Sequence, residues 1–363
     1  MAVKMPDKEG FDKILVKYGT YGDLYSVDDR PSSLLTAIST PIKLFIDHNL
    51  DSSGKGKFLT RLVPELEKLG VKITNYKDSN VVLGVNKYRT GVSKDKHRTI
   101  KDKKKRILRV DGIHLLNTKR NRWANRVVKE DGMRSDAIIW QTKFCRDMWY
   151  GIMKMKCKRE YVIFNGAEKI NDRLPVITSC TQNVLMCAKW LKGRDNKRLP
   201  EMLQIADEYT KINKDVCFWV AGEYFIKPPK NDRIVMLGRI EERELQRYIL
   251  MCNCMLFLAH YDWCPNSVVE AEVRGCPVIA SNNSGVAEIA SIILDLDKPI
   301  KPKMMKKYKP PPVDHKKVFE AINNALVIPD TLINILQKEE LLIENTAKQY
   351  FKVFKDVLCS KRK

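Results

Sequence analysis

Short apolar runs alternate with amphipathic stretches along most of the chain. The run "PIKLFIDHNL" (residues 41–50) predicts a buried strand, and the loop "DSSGKGK" leads from it into a helix pattern that ends at Gly70. Further strand-like runs are "VKITN", "SNVVLGV", "KRILRVDG", "DAIIWQ", "REYVIFNG", "LPVITSCT", "VCFWVAG", "DRIVMLG", "CMLFLAHY" and "CPVIAS". Strands that alternate with helices predict an α/β fold with parallel sheets covered on both faces.

The runs fall into two series, which predict two doubly wound domains in the 363 residues. We expect residues 1–170 to form the first domain and residues 171–330 the second. The last segment, 331–363, has helical periodicity from Leu332 to Leu358, and the proline-rich "KPKMMKKYKPPP" upstream of it is typical of a connector.

Composition narrows the class of protein. Hydrophobic residues make up 44% of the chain and charged residues 30%, which is typical of a globular protein. The longest apolar runs are too short for a membrane span, and "MAVKMPDKEGFDK" lacks the apolar core of a signal peptide. We therefore expect a cytoplasmic location. The ten cysteines have no regular spacing, which favours buried free thiols over disulfides or a zinc site.

The net charge of +22 indicates an anionic partner: nucleic acid, an acidic membrane surface or a phosphorylated substrate. Much of the charge lies in two runs, 94–106 and 298–312. Neither run interleaves aromatic residues as a base-stacking platform would. Two solvated lysine-rich loops would explain the charge equally well, so charge alone identifies no function.

Ligands of doubly wound sheets bind beyond the carboxyl ends of the strands. After the first strand, Gly54 and Gly56 would let the backbone approach a ligand closely, although a plain glycine turn is the alternative. After a later strand, Arg109, Asp111 and Gly112 suggest the edge of a cleft, or else a structural Arg–Asp pair.

The second half offers further candidates. Lys189 and Lys197 follow its first strand and could neutralise a leaving diphosphate. Asp262 follows the strand "CMLFLAHY", and a Pro-Asn turn separates it from Glu270. The alternative for Glu270 is a capping box in which Ser267 is the N-cap.

Two more acidic stretches follow. The glycine turn of residues 282–288 could cradle a phosphate with its amides. The "DLD" of residues 295–297 looks like a metal-binding DxD motif. We expect it to bind no metal, because it lies in a charge-rich connector beyond the predicted crevice.

The stretch "YDWCPNSVVEAEVRGCPVIASNNSGVAE" resembles the signature of glycosyltransferase family 4, the retaining enzymes of the GT-B fold. Five other segments resemble family motifs in the same order: "DSSGKGKFLTRL", "RVDGI", "DAIIWQTKFCRDM", "YVIFNGAE" and "AKWLKGRDNKRL". The resemblance implies two Rossmann-like domains that face each other across a cleft, with the C-terminal helix crossing back to the N-terminal domain.

The resemblance also implies roles for residues. Glu270 would hold the donor ribose, Asp262 would contact the sugar, and Lys189 and Lys197 would stabilise the leaving diphosphate without a metal. Nine residues would complete the donor site: Gly54, Gly56, Pro265, Asn266, Ser267, Val268, Ser284, Gly285 and Glu288. Arg109, Asp111 and Gly112 would lie on the acceptor side.

Three positions depart from the family pattern. Asp262 replaces the usual Glu and has a shorter reach. Lys189 replaces an Arg and loses a bidentate grip on phosphate. Asp111 stands where many members have His.

The predicted function is metal-independent transfer of a sugar, with retention, from a UDP- or GDP-sugar to a glycan, glycoprotein or glycolipid. The nucleotide sugar would be a substrate, and no tightly bound cofactor or nucleic acid is expected. The basic runs could dock the protein peripherally on an anionic membrane. The alternatives are an inactive protein that binds nucleotide sugars or glycans, a basic nucleic-acid-binding protein, and a related epimerase or phosphorylase.

Overall fold

A computed structural model describes residues 41–51, 53–88, 104–170, 180–190, 192, 195–328 and 338–360. The predicted domain boundary between residues 170 and 171, most of the basic run 94–106 and the start of the predicted C-terminal helix lie at or outside the ends of these ranges. None of the described helices is long and apolar enough to cross a membrane.

The first sheet has six parallel described strands in the order β2-β1-β3-β4-β5-β6. Its strands are β1 Lys43–Asp47, β2 Lys72–Ile73, β3 Val81–Val85, β4 Lys105–Val110, β5 Ala137–Trp140 and β6 Glu160–Val162. The helices that connect them are α1 Gly54–Lys68, α2 Lys119–Met133 and α3 Lys143–Met153.

The second sheet also has six parallel described strands, in the order β12-β11-β10-β7-β8-β9. They are β7 Gln182–Cys187, β8 Val216–Ala221, β9 Ile234–Gly238, β10 Cys254–Phe257, β11 Val278–Ser281 and β12 Ile292–Leu294. The helices of this half are α4 Leu199–Ile212, α5 Glu242–Met251, α6 Asn266–Val273 and α7 His315–Leu326, and α8 Ile343–Cys359 follows. The predicted α/β class with two parallel sheets is confirmed.

Both faces of the first sheet are buried, because successive side chains of its central strands enter opposite cores. Leu83 and Ile107 pack in the core that contains α8. Their neighbours Val82 and Leu108 pack in a second core on the other face. This arrangement explains why β3, "VVLGV", reads as a continuous apolar run rather than as an alternating one.

The C-terminal helix α8 crosses from the second sheet to the first. Leu341, just before it, packs in a core of the second half, whereas Tyr350 and Phe354 pack with Phe58 of α1 in a core of the first. The predicted periodicity starts at Leu332, but the described residues before Ile343 form a 3-10 turn and an extended residue. Helix α8 follows this turn at Ile343, whereas the predicted start at Leu332 lies outside the described residues.

A second segment also crosses from the second domain to the first sheet. We call residues 298–309 the lysine strap. The Met305 N–H donates to the Leu115 carbonyl at 2.8 Å, and the Asn117 N–H donates to the Met305 carbonyl at 2.7 Å. Ile300 and Met305 pack on the core that holds Val82, so the strap and α8 lie on opposite faces of the first sheet.

The cysteine prediction is wrong for one pair. Cys180 and Cys217 form a disulfide, with their Cα atoms 5.8 Å apart. Cys180 lies just before β7 and Cys217 lies in the adjacent strand β8, so strand pairing brings them together. Their separation of 37 residues carries no recognisable spacing signal. Of the other eight cysteines, all are free and six are buried.

Glu272 in α6 is a buried carboxyl group with a displaced pKa. Burial raises this pKa to about 7, although the Lys338 ammonium and hydrogen bonds from Ser291 and from the Val278 N–H oppose the rise. The folded state therefore holds a proton that the unfolded chain releases above its ordinary value of 4.5. This group contributes stability that falls as pH rises from 4.5 to about 7.

We expect Glu272→Gln to abolish that fall, because an amide can keep the same contacts without ionising. The wild-type free energy of unfolding should lose about 3 kcal/mol through this group on going from about pH 4.5 to about pH 8. Urea unfolding at both pH values would measure it, with Glu67→Gln on the exposed side of α1 as the control. An unchanged pH slope in Glu272→Gln would contradict the assignment.

Candidate functional site

The N-terminal ends of α1 and α6 meet between the two sheets. The Asn266 side-chain amide donates to the Gly54 carbonyl at 2.9 Å. Asn165 holds the α6 side, donating to the Asn266 Oδ1 at 2.8 Å and to the Cys264 carbonyl at 3.1 Å. Because the positive ends of two helix dipoles converge here, the junction suits an anion.

Helix α6 starts earlier than the capping-box interpretation requires. Its N-cap is Pro265, in an extended conformation, and no side chain caps the helix. Ser267 lies inside the helix and donates to the Cys187 carbonyl at 3.4 Å. The interpretation of Ser267 as N-cap with Glu270 as its partner is therefore wrong. Proline at position 265 sets the start of the helix and leaves its first turn without a side-chain cap.

Asp262 and Lys197 form an ion pair beside this helix start. The Lys197 Nζ lies 3.0 Å from the Asp262 Oδ2, and the side chains are 22% and 16% exposed. The other carboxylate oxygen of Asp262 accepts the Trp263 N–H at 2.7 Å. Asn196 holds the segment that carries Lys197 beside the segment that carries Asp262. Its side chain donates to the Tyr261 carbonyl at 3.1 Å, and its carbonyl accepts the His260 N–H at 2.7 Å.

Lys189 stands apart from this pair. Its Nζ lies 3.1 Å from the Glu223 Oε2, and its side chain is 62% exposed. The structure thus brings Lys197, but not Lys189, into contact with Asp262. The role of Lys189 at a leaving diphosphate stays a prediction.

Glu270 is paired with an arginine from a helix of the first domain. The Arg61 Nη2 of α1 lies 2.6 Å from the Glu270 Oε1 and 2.5 Å from the Glu242 Oε1. Lys57 adds a third cation, with its Nζ 2.9 Å from the Glu242 Oε2. Burial alone would lower the pKa of the Arg61 guanidinium, but the two carboxylates raise it overall.

Arg109 and Asp111 form a buried pair on the first-domain side. The Arg109 guanidinium bonds to Asp111, donates to the Asn165 Oδ1 at 2.6 Å and lies 4.6 Å from the centre of the Phe58 ring. Lys55 also reaches Asp111, with its Nζ 3.0 Å from the Oδ2. Burial would raise the pKa of the Asp111 carboxyl, but Arg109 and Lys55 hold it below its usual range. Asp111 is therefore a weak base.

Gly112 lies directly under the indole of Trp263. A Cβ on Gly112 would sit 1.6 Å from the Trp263 Nε1, so a side chain at 112 would displace the indole. Phe144 stacks on the same indole, with ring centroids 5.4 Å apart. Gly112, which was predicted to lie on the acceptor side, thus allows Trp263 of the second domain to pack closely against the first domain.

The glycine turn after β11 also contacts the first domain. Ser284 precedes a 3-10 turn, Gly285–Glu288, and the Gly285 N–H donates to the Asp262 carbonyl at 3.0 Å. Glu288 accepts the N–H groups of Lys143 and Phe144 at 2.9 and 2.6 Å. Its carboxylate caps α3 of the first domain, and its predicted contact with the donor stays a prediction.

We expect Glu288→Ala to destabilise the protein by about 1 kcal/mol, because two N–H groups at the start of α3 lose their acceptor. Thermal unfolding of this variant beside Glu67→Ala, on the exposed side of α1, would measure the loss. A donor contact would show separately, as weaker nucleotide-sugar binding in Glu288→Ala alone. Equal stability of the two variants would rule out the cap.

Asp297 of the "DLD" stretch is bound by a buried arginine. The Arg198 Nη2 lies 2.5 Å from the Asp297 Oδ1, and the Nη1 donates to the Oδ2 at 3.0 Å. Among the described residues, no group of three or more His, Cys, Asp or Glu side chains could hold a metal ion. The carboxylate of Asp297 is a structural partner of Arg198.

Several residues of the site were not predicted from the sequence. Arg61 could have been found from the sequence, because it lies on the apolar face of α1 beside Phe58 and Leu62. A cation in that position needs a buried partner. Asn165 lies in the "FNGAE" segment that resembles a family hinge. Glu242 and Lys55 follow no pattern that distinguishes them from surface charges.

A known family model matches the part of the chain that carries much of this site. Residues 196–291 match the family model "Glycosyl transferases group 1". That segment includes Lys197, Asp262 and Glu270. No match was found among curated protein sequences.

Solved structures share the two-domain arrangement. A sucrose-phosphate synthase from Thermosynechococcus elongatus is 10% identical, with a TM-score of 0.60 over 88% of this chain and 100% of that one. A glycosyltransferase from Rickettsia africae is 10% identical, with a TM-score of 0.55 over 88% and 100%. WaaG, a glycosyltransferase involved in lipopolysaccharide biosynthesis, is 11% identical, with a TM-score of 0.53 over 88% and 100%.

At these identities the likeness shows the fold, which is GT-B as predicted, and assignment to family 4 within the group stays a prediction. Residues 196–291 therefore match the model described as glycosyl transferases group 1, and the chain has the GT-B fold.

Proposed function

We propose that the protein transfers a sugar, with retention of anomeric configuration, from a nucleoside diphosphate sugar to an acceptor hydroxyl. One observation carries the proposal: the Lys197–Asp262 pair at 3.0 Å beside the uncapped start of α6. A sugar diphosphate requires both elements, a polar partner for the sugar and positive charge for the phosphates.

The leaving diphosphate gains negative charge as the glycosidic bond breaks. Lys197 and the first turns of α1 and α6 supply positive charge at this point, and Lys55 lies nearby on the first domain. Positive groups held in place before the reaction stabilise the developing charge without reorganisation. The geometry thus supports departure of the diphosphate by the chain's own cations.

The nucleoside half of the donor is assigned to Glu270. Arg61 engages the Oε1 of this carboxylate. The Oε2 has no hydrogen-bond partner among the described residues and is the atom we assign to the ribose hydroxyls. Arg61 would act as a positioning residue, because it fixes the carboxylate without contacting the donor.

Retention follows from a same-face reaction. The acceptor oxygen bonds to the anomeric carbon as the bond from that carbon to the phosphate oxygen breaks. The acceptor proton passes to a phosphate oxygen of the leaving nucleoside diphosphate. Asp111 is a poor alternative base, because Arg109 and Lys55 lower its pKa.

The donor would be a UDP- or GDP-sugar, and the acceptor a glycan, glycoprotein or glycolipid. Thermal-shift measurements with UDP-, GDP- and ADP-sugars would identify the donor, because a ligand of the folded state raises the melting temperature. Proton NMR of the product would then give the anomeric configuration. An inverted product would overturn the same-face mechanism, and donor binding without turnover would favour an inactive binding protein.

A further inference from the structure

Helix α2 presents an exposed tryptophan among cations. The Trp123 side chain is 63% exposed, the largest fraction of any tryptophan among the described residues. Lys119 and Arg126 lie four residues before it and three after it, so they flank it on the same side of the helix. Arg120 and Arg122 are exposed as well. An apolar ring surrounded by cations is therefore open to solvent.

The lysine strap extends this charged surface from the other domain. Hydrogen bonds at Leu115 and Asn117 hold it to the loop before α2, and Asn125 of α2 contacts the Met304 sulfur at 3.8 Å. Residues 298–313 contain no Asp or Glu. The exposed lysines of the strap are Lys298, Lys301, Lys303, Lys306, Lys307 and Lys309. We call these lysines and the exposed side of α2 the basic face.

A second exposed apolar side chain lies at the far end of α2. Met133 is 59% exposed and follows Trp123 by ten residues, which corresponds to about 15 Å along the helix. Arg126 lies between them on the same side, as does the single exposed acid of the helix, Glu130. Two apolar anchors along one side suit a flat surface better than a pocket.

We propose that the basic face docks the protein on the surface of a bilayer that contains anionic lipid. Tryptophan favours the membrane interface, and basic side chains near it are attracted to anionic headgroups. A helix with both features lies in the plane of the interface. Single-stranded nucleic acid is the less suitable partner, because it needs successive aromatic platforms and this face has one.

Docking here would place the first-domain side of the cleft at the bilayer. Helix α2 follows the loop that carries Asp111 and Gly112, and the strap borders that loop. If the proposed glycosyl transfer is correct, the acceptor would be a hydroxyl carried by a lipid or by a molecule held at the membrane. Membrane docking itself does not depend on that reaction.

Co-sedimentation of the full chain with vesicles tests the proposal. One set of vesicles is phosphatidylcholine alone, and the other contains phosphatidylglycerol as well. We expect binding to the anionic vesicles only, and a loss of roughly tenfold or more in partitioning for Lys303→Ala/Lys306→Ala/Lys307→Ala. Trp123→Ala should weaken binding by roughly tenfold. The matched control is Lys211→Ala/Lys214→Ala/Lys230→Ala, three exposed lysines of the second domain.

Three outcomes would overturn the proposal: no binding to anionic vesicles, equal loss in the control triple variant, or tight DNA binding that the basic-face variants abolish while vesicle binding is absent. Thermal unfolding of each variant confirms that it folds. The nucleotide-sugar thermal shift should be unchanged in the basic-face variants. Failure of docking and failure of the proposed reaction are thereby separated, because each has its own assay.

Discussion

Lys197→Met is expected to slow glycosyl transfer by about 100-fold or more. The ammonium lies 3.0 Å from Asp262 and is partly exposed to the cleft, where the charge of the leaving diphosphate develops. Its removal raises the free energy of the transition state more than that of the ground state, because the negative charge on the phosphate is greatest as the glycosidic bond breaks. The loss should therefore appear in kcat rather than in KM alone.

Steady-state rates with the identified donor would measure this effect. Lys197→Arg keeps the charge and should recover part of the rate. Lys211→Met is the control, since Lys211 pairs with Asp207 on an exposed part of α4. A kcat unchanged in Lys197→Met would remove this residue from the reaction and with it the observation on which the proposed function rests.

Arg61→Met is expected to reduce the free energy of unfolding by about 3 kcal/mol. The side chains of Arg61 and Glu270 are only 8% and 5% exposed, so the variant leaves a buried carboxylate without its cation. Glu242 also loses one of its two cations, but Lys57 remains beside it. The cost arises mainly from the uncompensated charge of Glu270.

A double-mutant cycle separates that charge from other effects. Glu270→Gln in the Arg61→Met background should recover part of the lost stability, because the buried charge is then absent. Arg146→Met, which breaks an exposed pair with Asp147, serves as the control and should change stability by less than about 1 kcal/mol. Equal losses in Arg61→Met and Arg146→Met would show that the Arg61–Glu270 pair is not energetically coupled.

Much of the fold was predictable because it depends on local patterns. Most strands of the two sheets read as short apolar runs, since burial on both faces leaves little polar alternation. The exceptions are β7, which lies after the predicted run "LPVITSCT", and β12, which was not predicted. The order of strands and helices then restricts the sheets to parallel ones. The start of α8 at Ile343 was not predictable, because helical periodicity in the sequence continues through Glu339–Leu341, which form a 3-10 turn, and through the extended Leu342.

The site was predictable only in part. Asp262 and Lys197 could be placed at one sheet edge, since both follow strands of the same sheet. The partner of Glu270 is Arg61 of α1, and no sequence pattern reports a contact between helices of two domains. Ser267 shows the same difficulty: "SVVE" fits a capping box, but Pro265 starts the helix earlier and the carboxylate turns to Arg61 instead.

The paired crossings of the chain have a mechanical consequence. The lysine strap and α8 attach the second domain to opposite faces of the first sheet. Two fixed attachments restrict movement of the second domain relative to the first to rotation about the line that joins them. Sliding or twisting would break the backbone hydrogen bonds of Met305 with Leu115 and Asn117, and those of Ala167 with Leu341 and Ile343. Opening of the cleft would therefore be a rotation about this line, and it would break the Asn266–Gly54 and Arg61–Glu270 contacts between the domains.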